Sequence, residues 1–491
     1  MAAEGGGTGA GGPDPLARWS QVLGEVPEHP RFLRPDELEA GARELAKKAS
    51  GTVELLELGR SRRGRPILAL RMGKGPAVLA YGFPHPNEPV GGMTLDFLSS
   101  RLARDPRLLA DLGFTWYLVE CVDPDAACLN QGWFSGPFSP LNYTLHYFRQ
   151  PATEQAEWGF PIDYRTLVLT QPVPEVLALK GLIDRARPRL VFSLHNSSLG
   201  GVYFWMTGFV PDLVAPLHAA VRAAGLPLHR GEPEHSATYW YAPGILHWPP
   251  ATEVYDYFAR HFPGDAGPLV GMGASCEEYS ARVGGAFSLV VEVPLFAAPV
   301  VEDTSPSDFT RREAAQAEID GMRALYRFMK EEYASIADLL APGSREATER
   351  SFVRLEDTLR AREAYLGEAE FDRPATRAEA ADRTELRRIN RMLPLGLFLR
   401  VLEGRLRAAE GAGRERLATA KRRLVTRLEE EAEELDRRVE YRVVTVQQMV
   451  KLQVASILAT AHYFGARMRA QGRPLSGAGP AGATPPQPRS G

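Results

Sequence analysis

Apolar residues in the first two thirds of the chain collect in short runs bounded by Gly, Pro and polar residues. Such runs stand at 77–83, 116–122, 190–194 and 286–296. Runs of this length with little alternation are the pattern of strands buried on both faces. Helical stretches separate them. One is expected over 35–49, opened by Pro35 and Asp36 and rich in Ala, Leu and Glu. Another is expected over 308–340, with Ile319, Met322, Leu325, Phe328 and Met329 on its apolar side. Alternating strand and helix is the signature of an open α/β sheet. Ligands in such sheets collect beyond the carboxyl ends of the strands.

The pattern changes after Pro342. Residues 345–472 are dense in Arg, Glu, Leu and Ala and carry almost no strand signal, so an added C-terminal all-helical region is expected. Its apolar pairs Leu424 and Leu428, Leu435 and Val439, Val446 and Val450, Ile457 and Ala461 recur every eleven residues. That is the period of a nearly straight helix with a slight right-handed drift. A second helix over 386–409, interrupted by Pro394, can pack against it as a hairpin. These helices read either as an arm for homo-oligomerisation or docking, or as an appendage folded on the rest of the chain. Residues 1–13 and 473–491 are Gly, Pro, Ala and Ser with little apolar content and are expected to be disordered. The organisation that follows is a catalytic domain over 14–341 and a helical region over 345–472.

The run at 77–83 climbs into the loop Pro84-His85-Pro86-Asn87-Glu88-Pro89. An imidazole and a carboxylate three residues apart on such a loop can bind one cation from the same side, with a third ligand from a distant segment. By itself the pair also fits an ordinary polar surface loop. Two more runs add to it: one ends at His195, and the other holds a single carboxylate, Glu292. A charge inside so apolar a strand is expensive unless it is paired or near a metal. Taken singly, a core histidine and a buried ion pair are the plainer accounts. Together the three segments offer two imidazoles, one ligating carboxylate and one further carboxylate, all in or just past strands.

These residues, in this order, resemble the zinc carboxypeptidases of the carboxypeptidase A type. The resemblance runs from about residue 30 to about residue 335. The segment from Glu54 to Leu70 resembles the family's opening hairpin, with Gly64-Arg65-Pro66-Ile67 at its turn. Asp123-Pro124-Asp125 is similar to the family's Asn-Pro-Asp-Gly segment, and Tyr147-Phe148-Arg149 to its Trp-Arg element. The resemblance implies a mixed, twisted open sheet flanked by helices. It also implies one Zn2+ per chain on His85, Glu88 and His195, and hydrolysis of peptide or peptide-like amide bonds near a free C-terminus. Glu292 is then the general base for the attacking water. Arg149 is the fixed positive partner of the oxygen on which negative charge develops.

Substrate recognition departs from the family pattern. A guanidinium offers two parallel donors to a terminal carboxylate. Arg165, in Asp163-Tyr164-Arg165, is the nearest match to that role but lacks the family's preceding Asn. Asn87 stands where the family has an arginine between its paired ligands. Aligning Gly273-Ala274-Ser275-Cys276 with the family's Gly-Gly-Ser segment puts Leu269 at the place of its mobile tyrosine. The same alignment puts Cys276 where side-chain preference is decided, followed by Glu277 and Glu278. Either those glutamates form an acidic pocket for a substrate with an amino group, or they face solvent. Residues 225–268, rich in Pro, His and aromatics, read as an insertion bordering the cleft.

The bulk properties narrow the partners. With 491 residues, a net charge of −3 and no basic stripe, nucleic acid is not expected. No run of eighteen apolar residues appears, so no membrane span is expected. The first residues lack a basic start and an apolar run, and Cys121, Cys128 and Cys276 form no disulfide framework. Both features point to reduced thiols in the cytoplasm. Three readings remain open. The first is a zinc carboxypeptidase acting on peptides. The second is a zinc-dependent N-acyl amino acid deacylase similar to the aspartoacylases and succinylglutamate desuccinylases. Those relatives share the His-x-x-Glu core but add a β-rich domain where this chain adds helices. The third is an inactive protein that binds through its cleft or helical arm.

Overall fold

The apolar runs become the centre of a ten-stranded mixed sheet. The computed structural model describes residues 14–471 apart from 235, 236, 263 and 368, so the disorder expected at 1–13 and 473–491 lies outside the described residues. Four strands run parallel in the order Thr115–Val119, Ala77–Gly82, Leu190–Gly200, Phe287–Ala297. The hairpin of Val53–Arg60 and Pro66–Gly73 joins one side, antiparallel to Thr115–Val119. Tyr203–Met206, Ile245–His247 and Trp240–Ala242 extend the other side.

The pleat divides the core in two. Val78 and Ala80 share one core with helices Val90–Arg104 and Val446–Gln471. Leu79 and Tyr81 point the opposite way, into a core shared with helices Pro174–Ala186, Ala251–His261 and Cys276–Gly284. Burial on both faces is why these strands read as continuous apolar runs. Helices Pro35–Lys48 and Arg311–Ala334 form where the sequence places them. Among the described residues, no helix is long and apolar enough to cross a membrane.

The C-terminal region is helical, and part of it belongs to the main core. Helices Arg311–Ala334, Pro342–Tyr365, Arg388–Leu406 and Gly411–Arg438 share an apolar centre that includes Ile319, Leu325, Met392, Leu399, Leu417 and Leu424. Arg388–Leu406 runs through Pro394 and packs on Gly411–Arg438, as the expected hairpin does. The eleven-residue pairs are all buried, but they sit on two helices rather than one straight one. Backbone turns extended at Val439, and Arg442–Val443 pairs with the end of Phe287–Ala297 before Val446–Gln471 begins. An open strand edge satisfies that backbone, which explains the break. Val446–Gln471 then packs on Val90–Arg104, Val214–Ala223 and the sheet itself. Leu452, Val454, Ile457 and Leu458 lie in the same core as the strands, so the core extends beyond the boundary expected near 342.

Candidate metal centre

Two close backbone approaches fix the loop that carries His85 and Glu88. A Cβ on Gly91 would lie 2.7 Å from the Cα of Gly82 and 2.7 Å from the carbonyl oxygen of Leu194. Only glycine allows helix Val90–Arg104 to sit that close to both strands. Phe83, buried and with φ of 55°, turns the chain out of the strand in a conformation that non-glycine residues rarely adopt. The intervening loop is therefore short and held at both ends.

His85, Glu88 and His195 each present a ligand atom within 4.8 Å of the others, and all three are buried. The two rings stand 5.0 Å apart. Parallel pairing sets Glu292 directly beside His195, and its Oε1 lies 3.5 Å from His195 Nδ1. One further carboxylate organises both rings. Glu157, fully buried, has Oε1 2.9 Å from His195 Nε2 and Oε2 3.3 Å from His85 Nε2. Ser193 donates to the same Oε1 at 2.9 Å and Tyr81 at 3.2 Å. The Cys276 N–H donates to the Glu157 carbonyl, which straps this residue in place.

With both Nε2 atoms on Glu157, both Nδ1 atoms are left over. Neither has a hydrogen-bond partner, although His195 Nδ1 is 2.9 Å from Glu88 Oε2. Two ligands on one ion at about 2.0–2.1 Å stand roughly 3.3 Å apart, so this spacing suits a shared cation. The charges agree. Burial and the nearby Arg149 hold His85 neutral, with a pKa of about 4. Against its burial, Glu88 is drawn down to about 2 by His85, Arg149 and His195. His195 is raised despite its burial, because Glu157, Glu292 and Glu88 surround it. Burial pushes Glu292 well above the usual carboxylate range, with Glu88 adding to the effect. Buried carboxylates around one imidazole call for a cation. The donor set of two imidazole nitrogens and one carboxylate fits a catalytic divalent site with an open position.

Arg149 lines the cleft, donating to Asn87 Oδ1 at 2.8 Å and pairing with Glu88. Asn87 is buried and donates to the Tyr143 hydroxyl at 2.8 Å, so it orients Arg149 rather than facing a substrate. The Asp123-Pro124-Asp125 segment supports the same loop, since Gln150 donates to Asp123 at 2.5 Å. Arg165 lies elsewhere. Its side chain is 57% exposed, pairs with Asp256 and does not line the cleft. Cys276 and Glu277 are fully buried and do not line it either. Tyr81 donates to Glu277 at 2.6 Å, and burial together with Glu157 raises that carboxyl to about 8. Glu278 accepts from the Ala251 N–H. The acidic pocket that their sequence position suggested is therefore not formed, because helix Cys276–Gly284 turns Glu277 inward beneath the histidines.

The cleft has a volume of about 630 Å3. Its apolar lobe includes Val254, Tyr257, Phe258, Leu269, Val270 and Met272, so the expected insertion does border the site. Part of the wall also comes from the C-terminal helices, through Arg362, Arg383, Arg387 and Asn390. Glu157 and this wall were not apparent from sequence. Glu157 sits in Gln155-Ala156-Glu157-Trp158, where nothing in the local pattern separates it from a surface glutamate.

No protein-family model matches the chain, and no curated protein does. Solved structures with a similar fold include a metallo-carboxypeptidase from Burkholderia cenocepacia. It is 18% identical with a TM-score of 0.35, over 54% of this chain and 60% of that one. The carboxypeptidase A from Helicoverpa armigera is 17% identical with a TM-score of 0.35, over 57% of this chain and 70% of that one. The likeness is one of fold alone. This chain thus spans about three fifths of the length of the Burkholderia protein.

Proposed function

We propose that the protein is a zinc-dependent hydrolase of peptide or peptide-like amide bonds near a free C-terminus. One observation carries the reading. Glu157 holds both Nε2 atoms, and both Nδ1 atoms are left unpartnered beside Glu88, with Glu292 on the neighbouring strand. A divalent cation on His85, Glu88 and His195 supplies Lewis acidity and lowers the pKa of water toward neutrality. Glu292 takes the proton of the attacking water and returns it to the departing amine. Its raised proton affinity suits that exchange. Arg149, held by Asn87, offers fixed positive charge to the carbonyl oxygen as it becomes negative. The apolar lobe favours a substrate with a large apolar side chain beside the scissile bond.

The test combines metal analysis of the purified protein with a screen of N-acyl dipeptides and N-acyl amino acids. The reading expects one zinc per chain and release of the terminal residue from N-acyl dipeptides ending in Phe or Leu. Absence of a stoichiometric divalent metal, or cleavage of N-acyl amino acids alone, would overturn it.

A further inference from the structure

The cleft is lined by four guanidinium groups, and they differ in how fully their donors are used. Arg149 is engaged by Asn87 and Glu88. Arg383 bonds Glu318 at 3.0 Å and Glu232 at 2.9 Å. Arg387 bonds Asp382 at 2.9 Å and the Pro233 carbonyl at 3.1 Å. Arg362 differs from these. Among the described residues Glu318 is its one ion-pair partner, and Glu318 is shared with Arg383 and Arg387.

Glu318 is also the most heavily shared acid of this cluster. Three guanidiniums meet at Glu318, and Arg311 adds a fourth through Glu232, which pairs with Arg383 as well. The acids in contact with them are Glu232, Glu318 and Asp382, all buried, and the exposed Glu370 on Arg311. Arg383, Arg387 and Arg311 thus each have a second acidic partner, and Arg362 has Glu318 alone among the described residues. The side chain of Arg362 is 34% exposed, so its free donors open on the cleft. Helix Pro342–Tyr365, which carries it, packs on the turn Gly267–Val270. That turn supplies Leu269 and Val270 to the apolar lobe. A cation with spare donors therefore sits beside the pocket for an apolar group.

We propose that Arg362, from the C-terminal helical layer, is the anchor for a carboxylate on the substrate, next to the group held in the apolar lobe. This inference rests on the proposed hydrolase reading for the site's purpose, but its chemistry is that of binding. A planar fork of donors matches the two oxygens of a carboxylate, and an arriving anion gives Arg362 a partner that it does not share with Arg383 and Arg387. The helical layer then acts as part of the specificity surface.

The decisive measurement is equilibrium binding to the metal-loaded Glu292→Gln protein, which separates recognition from turnover. The probes are N-acetyl-Leu-Phe and its C-terminal amide. The acid is expected to bind roughly tenfold to a hundredfold more tightly than the amide. Adding Arg362→Gln should remove that preference, and Arg362→Lys should restore part of it. In the otherwise wild-type enzyme, Arg362→Gln should raise KM for the acid and leave kcat nearly unchanged. Equal binding of acid and amide, no binding of the acid at millimolar concentration, or a preference that survives Arg362→Gln would overturn the inference. If no substrate is cleaved yet the preference appears and is lost in Arg362→Gln, only the hydrolase reading fails.

Discussion

Replacing Glu157 by Gln tests the arrangement of the metal centre most directly. The carboxylate accepts from His195 Nε2 at 2.9 Å and from Ser193 and Tyr81, and its other oxygen lies 3.3 Å from His85 Nε2. An amide of the same shape keeps one acceptor oxygen and turns an NH2 group toward the other ring. One imidazole then loses its partner and is free to rotate or change tautomer. Partners behind metal-binding histidines typically hold roughly 10- to 100-fold of metal affinity each. Glu157 serves two rings, so its loss should cost roughly 10²- to 10⁴-fold, or about 3–5 kcal/mol. The assay is competition for zinc against a chromophoric chelator, with near-ultraviolet circular dichroism to confirm folding. A folded Glu157→Gln protein that binds zinc within about threefold of wild type would refute the argument.

Three other outcomes are expected. Glu292→Gln should keep its zinc and lose several orders of magnitude in turnover, since base and orientation vanish together; wild-type-like activity would mean that the base is misassigned. Gln453→Leu should cost about 2–5 kcal/mol by urea titration, because buried Gln453 donates to the His195 carbonyl at 3.0 Å and accepts from Thr94 at 2.7 Å; an unchanged midpoint would contradict that role. Glu232 and Glu318 are both held near 2 from an ordinary 4.5: against burial, Arg311 and Arg383 act on Glu232, and Arg362, Arg387 and Arg383 on Glu318. Their folded pKa values are depressed, so the stability they confer is complete above about pH 4.5 and is lost as pH falls toward 2, at about 3 kcal/mol each. A Glu232→Gln, Glu318→Gln double variant should flatten urea midpoints across that window, and an unaltered acid slope would count against it.

The fold was legible in the sequence where one physical constraint acted alone. Strands buried on both faces read as apolar runs, and a lone acid in such a run, Glu292, marked the centre because few other places tolerate it. The short loop from Phe83 to Pro89 fixed His85 and Glu88 together. Contacts between distant segments left less trace. Glu157 acquires its meaning only when the chain brings it under two rings. Arg165 matched a local pattern, yet its backbone, at φ 54°, carries it to the surface beside Asp256. Glu277 looked like a pocket residue because sequence cannot reveal which way the first turn of a helix points. The apolar spacing of the C-terminal helices was plain, but the surface those faces cover was not. Val446–Gln471 covers the sheet, whereas Gly411–Arg438 covers its helical neighbours.

The bond from Gln453 to the His195 carbonyl has a consequence for how the protein is made. Synthesis runs from the amino end, so His85, Glu88, His195 and Glu292 all leave the ribosome well before the helix that braces them. A nascent chain halted ahead of residue 446 holds every candidate ligand while the part of its central sheet that this helix covers stays bare. The candidate site is therefore completed late in translation, and a product truncated there is an aggregation hazard rather than a smaller working protein.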